Sequence, residues 1–106
     1  MSKKVRAIVK DLSDRLHAIY GPRLARMMLY GSQARGDADP QSDVDVLVVL
    51  RGEVKPCEEI ARTAEDVAAV SLQHNAVVAC TFLSEEEFRS RNTPFLLNVR
   101  REGIPV

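Results

Sequence analysis

The segment Asp43-Val44-Asp45-Val46-Leu47-Val48-Val49-Leu50 constrains this chain more than any other. It is β-branched and apolar up to Arg51-Gly52, so it reads as the clearest strand in the sequence. Side chains alternate across a strand, which sends Asp43 and Asp45 out of one face while Val44 and Val46 point into the other. Two carboxylates thereby crowd one spot.

The rest of the chain is arranged around this strand. Val5, Ile8, Val9, Leu12, Leu16 and Ile19 recur at helical spacing, predicting an amphipathic helix over residues 3–20 that Gly21-Pro22 ends. Residues 25–30 form a short apolar run stopped by Gly31, which suits a buried strand. Ser32 through Gly36 suit a turn or a few helical residues, and 36–42 is rich in turn formers and reads as an exposed loop. Two strands therefore flank one polar loop. A helical face follows from Glu58 to about Gln73, then a third strand over 76–82. Ser84 with Glu87 fits a capping box, and Thr93-Pro94 marks another helix start that runs to Gly103. The expected order is α-β-β-α-β-α-α, an α/β chain of the α+β type, without internal repeats.

A length of 106 residues, 45% hydrophobic and 28% charged, fits one domain over 1–106. A chain this small has little area for a deep private cleft, so a partner protein or a homo-oligomer is expected to complete the site. Fifteen basic and fifteen acidic residues cancel, which argues against an extended nucleic-acid track. The basic residues near the two ends read as solvated helix faces. Two cysteines, Cys57 and Cys80, make neither a disulfide framework nor a close-spaced metal pattern, so a cytoplasmic location and inert thiols are expected. No apolar stretch nears the ~20 residues of a membrane span.

The chemistry concentrates at the two strand ends. Keeping Asp43 and Asp45 ionised at close range is costly unless a cation sits between them, and Mg²⁺ prefers carboxylate, water and phosphate oxygens. Gly31 lets a phosphate approach the backbone, and the Ser32 hydroxyl with the amides of a helix start can donate to its oxygens. Arg35 supplies a cationic contact to the same phosphates. Asp43 and Asp45 are thus the candidate metal-binding and catalytic residues; Gly31, Ser32 and Arg35 are the candidate nucleotide-binding residues.

Leu29-Tyr30-Gly31-Ser32-Gln33-Ala34-Arg35-Gly36 and Ser42-Asp43-Val44-Asp45-Val46-Leu47-Val48 closely resemble the polymerase-β-like nucleotidyltransferase superfamily, especially its minimal prokaryotic members. The resemblance is specific over residues 24–50 and looser over 83–88 and 95–106. It implies a mixed β-sheet with helices packed mainly on one face. It also implies transfer of a nucleoside monophosphate, expected to be AMP, from an Mg²⁺-bound NTP such as ATP to a macromolecular hydroxyl. Small members of the family are often antitoxins paired with a HEPN-domain toxin, which places toxin–antitoxin function and a HEPN partner among the expectations.

One departure weighs against turnover. The family carries a third carboxylate on the later strand, whereas residues 76–82 contain no Asp or Glu; Val77 is the nearest equivalent, with Ala79 next on the same face. The alternative reading is therefore a catalytically impaired module that binds nucleotide or a partner. A calcium loop over 37–48 is excluded because Ser42 and Val48 stand where glycine and glutamate belong. His17 and His74 are isolated and read as helix-surface and helix-end residues.

Overall fold

The computed structural model describes residues 1–36 and 42–106. The loop read over 36–42 therefore falls largely outside the described residues, as do residues 37–41 of the rejected calcium loop. Helix α1 spans Lys3–Tyr20, as the apolar stripe predicts, with the Ser2 hydroxyl accepting from the Val5 amide at its start. A 3-10 turn, Gly21–Arg23, leads into β1, Leu24–Tyr30. A single helical turn, α2, Ser32–Arg35, precedes β2, Val44–Leu50.

Helix α3 spans Pro56–His74, starting two residues earlier than expected because Pro56 occupies its first turn, where the absent amide costs nothing. Asn75 ends it in the left-handed conformation at φ 49°. Strand β3 is Val78–Ser84, displaced toward the C-terminus from the expected 76–82. Ala76 and Val77 belong to the connection, where the Val77 carbonyl accepts from the Val44 amide at 2.8 Å. Helices α4, Glu85–Ser90, and α5, Pro94–Glu102, follow with both expected caps in place. Ser84 and Glu87 form the complete capping box, and Thr93 accepts from the Leu96 amide. A two-residue strand, β4, Ile104–Pro105, was not foreseen.

The four strands lie in the order β3-β2-β1-β4, with β2 parallel to β3 and antiparallel to β1, and β4 antiparallel to β1. This is the mixed sheet the resemblance implied. Both long helices pack on one face: Val5, Ile8, Leu12 and Leu16 of α1 and Val70 of α3 meet Val44, Val46, Val48 and Leu50 of β2. On the other face, among the described residues, Phe88 of α4 and Leu96 and Val99 of α5 cover Met28, Leu47 and Val49. Strand β2 is thus buried on both faces along Val46–Leu50, which is why its apolar run is unbroken there. Asp43 and Asp45 sit at its open end, on the face of the short helices.

Candidate active site

Gly31 shapes the site. Its backbone holds φ 74° and ψ −157°, a region essentially closed to other residues. A Cβ placed there would stand 2.6 Å from Asp45 Oδ2. Glycine thus serves two ends: it makes the turn from β1 into α2, and it lets the backbone lie against the Asp45 carboxylate. The register explains the meeting, because Tyr30 pairs with Asp45 across β1 and β2.

Asp45 is half-buried and Asp43, just before the strand, is exposed. Burial pushes the Asp45 carboxyl above the usual aspartate range, and the Asp43 charge adds to the rise. The Asp43 charge thus acts against the ionised form of Asp45. A divalent cation reverses that cost. Among the described residues no group of three or more His, Cys, Asp or Glu surrounds a common point. The donor set still suits Mg²⁺, which is commonly held by one or two carboxylates together with substrate phosphates and water.

Ser32 opens α2 and is half-buried. The Ala34 and Arg35 amides donate to the Gly31 carbonyl at 3.1 and 3.2 Å, so the helix itself uses those two. The Ser32 and Gln33 amides stand at the helix start, where the helix offers no acceptor. Gln33 Nε2 donates to the Ser42 carbonyl at 3.2 Å, tying the two ends of the polar loop together.

Arg35 closes α2 and pairs with Glu102 of α5 at 3.5 Å. Together they line a small cavity of about 180 Å³ beside Gly31. The α5 contributions to it, Phe95, Asn98, Val99 and Glu102, form one helical stripe. Phe95 meets Tyr30 edge-on, with ring centroids 5.2 Å apart. The Tyr30 hydroxyl shares a hydrogen bond of 3.1 Å with Thr81 Oγ1, so its side chain reaches from β1 across β2 to β3.

The structure thus brings Gly31 against Asp45, leaves Asp43 near enough for its charge to act on Asp45, starts α2 with Ser32, and sets Arg35 at the cavity rim. Sequence reading missed the α5 side, although the spacing of Phe95, Asn98, Val99 and Glu102 was available as a signal. It also placed the empty third-carboxylate position one step too early. Asp45 pairs directly with Ala79 on β3, and Val77 lies before the strand. Ala79 is exposed and carries no group able to bind a cation or take a proton.

Other titratable groups lie outside this site. His74 Nε2 lies 3.1 Å from Asp11 Oδ2, joining α3 to α1, while Cys57 is exposed and burial pushes the Cys80 thiol up to about 12. No helix among the described residues is long and apolar enough to cross a membrane.

Over 99 residues the chain is 28% identical to the Methanocaldococcus jannaschii "Putative protein adenylyltransferase MJ0141", covering 93% of this chain and 95% of that one. It is 31% identical over 96 residues to "Putative protein adenylyltransferase MJ0604" of the same organism, covering 90% of each. Among solved structures, a toxin–antitoxin with AMP-PNP superposes with a TM-score of 0.63 at 21% identity, covering 95% of this chain and 70% of that one. A tri-AMPylated Shewanella oneidensis HEPN toxin in complex with its MNT antitoxin gives 0.57 at 20% identity, covering 96% and 67%. Residues 3–98 match the family described as "Nucleotidyltransferase domain", and the chain belongs to that family.

Proposed function

We propose that this chain, as one domain over residues 1–106, transfers AMP from Mg²⁺-bound ATP to a hydroxyl of a macromolecular acceptor. The observation that carries the reading is the approach of the Gly31 backbone to the Asp45 carboxylate, with Asp43 beside it. That approach puts a phosphate-tolerant turn and a cation-binding pair at one point. The two adenylyltransferase relatives support adenylyl transfer in particular, and the toxin–antitoxin likenesses support a HEPN-type partner as acceptor.

In this reading Asp43 and Asp45 would hold Mg²⁺, which would neutralise phosphate charge and help orient the α-phosphate. The Gly31 turn admits the triphosphate to the backbone. The Ser32 hydroxyl and the Ser32 and Gln33 amides donate to its oxygens, and Arg35 exchanges its pairing with Glu102 for a phosphate oxygen. The acceptor oxygen would form its bond to the α-phosphorus as the bond to the pyrophosphate oxygen breaks, pyrophosphate leaving with the electron pair and the hydroxyl proton passing to solvent water. A location in the cytoplasm, where ATP is available, accords with this role.

Ala79 favours a second reading, in which the same site binds Mg-ATP or a partner without turnover, since no carboxylate faces Asp45 from β3. Incubation with Mg²⁺ and α-labelled ATP, alone and with a co-purifying partner, separates the two. Label transfer with pyrophosphate release that disappears in Asp43→Asn and Asp45→Asn supports the enzyme. Transfer unchanged in either variant overturns the site assignment. Binding without transfer, converted to transfer by Ala79→Asp, establishes the second reading.

A further inference from the structure

The two edges of the sheet differ. β4 is two residues long and contains Pro105, features that discourage another strand from pairing. β3, Val-Ala-Cys-Thr-Phe-Leu-Ser, runs seven residues without charge, proline or glycine. It has β2 on one side, and among the described residues no strand on the other. Its ladder opens with the Val77 carbonyl accepting from Val44. Alternation along a parallel ladder turns the backbone groups of Ala79 and Thr81 toward β2, and those of Val78, Cys80 and Phe82 outward.

Beside this edge runs a groove of about 400 Å³ between α3 and β3. Ile60, Ala64, Val67 and Ala68 supply its helical wall, and no charged side chain lines it. Ile60 is 54% exposed despite its size.

We propose that a second copy of this chain docks on this edge, with β3 antiparallel to β3 about a twofold axis, joining two four-stranded sheets into one. In such a contact every residue near the axis faces its own counterpart, so a charge there would repel itself. Neither β3 nor the groove carries one, whereas a partner recognised through its charge would find nothing complementary. The area is that of a weak contact. Seven residues span ~23 Å, and strand plus overlying helix are about 20 Å deep, roughly 460 Å² in plan and more as accessible surface. That approaches the lower end of ~600–800 Å² per partner for a specific interface and corresponds to a reversible dimer. The twofold stands perpendicular to the sheet, so both Asp43/Asp45 pairs open on the same side.

Sedimentation velocity across micromolar concentrations, with amide hydrogen exchange on the same samples, tests this. The expected result is a mass rising toward two chains with concentration, accompanied by slowed exchange at Val78, Cys80 and Phe82. Ile60→Glu and Ala64→Lys, both at exposed positions, should weaken association by about tenfold or more, equivalent to ~1.4 kcal/mol, with unchanged circular dichroism. A one-chain mass at every concentration overturns the proposal, as does a dimer indifferent to both substitutions. Protection of β3 that arises only on adding a different protein also overturns it, and assigns the edge to a foreign strand.

Discussion

At the scale of single residues, Gly31 and Asp45 behave as one unit. Gly31→Ala forces an L-residue into a glycine-only conformation, at a cost of about 1–3 kcal/mol, and drives its methyl into the Asp45 carboxylate. Chemical denaturation should register that loss, and Mg-ATP binding should fall with it. Asp45→Asn should have the opposite effect on the metal-free fold. Because burial and Asp43 raise the folded-state pKa of Asp45, its favourable contribution is complete below the ordinary aspartate pKa and is lost as pH rises through the raised one. At neutral pH the ionised group opposes folding, so Asp45→Asn should melt higher in chelator-treated buffer. The same variant should lose the stabilisation that Mg-ATP confers on the parent, because an amide does not replace the carboxylate charge. A lower melting temperature in chelator would contradict this account of the pair.

At the scale of elements, legibility followed locality. α1 could be read to its bounds because its apolar stripe, the Ser2 cap and Gly21 all lie within the segment itself. The start of α4 was equally legible, and it can be tested: Ser84→Ala should cost about 1 kcal/mol, seen as a lower denaturation midpoint, because Ser84 accepts from the Glu87 amide. β3 was misplaced because Ala76 and Val77 are as apolar as the strand itself. What excludes them is the left-handed cap at Asn75 and the pairing of Val44 with Val78, neither of which shows in a hydrophobicity pattern. β4 owes its existence to β1, with the Val106 amide donating to the Met27 carbonyl at 3.0 Å. Two residues hold too little pattern to announce such a pairing. The site divides in the same way: Gly31, Ser32, Asp43 and Asp45 stand out as a local motif, whereas Glu102 meets Arg35 only after the chain has folded back.

At the scale of the whole molecule, the face with the long helices is fastened by a buried acid. Glu59 accepts from the Tyr20 hydroxyl at 2.7 Å and from Arg62 at 2.9 Å, and pairs with Arg23 at 3.5 Å. Burial alone would raise its pKa, but the Tyr20 and Arg62 hydrogen bonds and the two arginine charges outweigh that and hold it below the usual range. The sign is therefore opposite to that of Asp45. The stability from Glu59 is present above its unfolded pKa and is lost as pH falls through the lowered folded one. Glu59→Gln should cost roughly 1.5–3 kcal/mol at neutral pH and progressively less in acid, so that parent and variant unfolding curves converge at low pH. A constant offset across the acid range would rule out this role. The stripe of α5 against the Gly31 turn has a temporal consequence. A growing polypeptide has made Gly31, Asp43 and Asp45 well before Phe95 and Glu102 exist, so during synthesis the residues proposed to hold phosphate and cation come first and their wall comes last. Until α5 is complete, the nascent chain carries the motif without its enclosure.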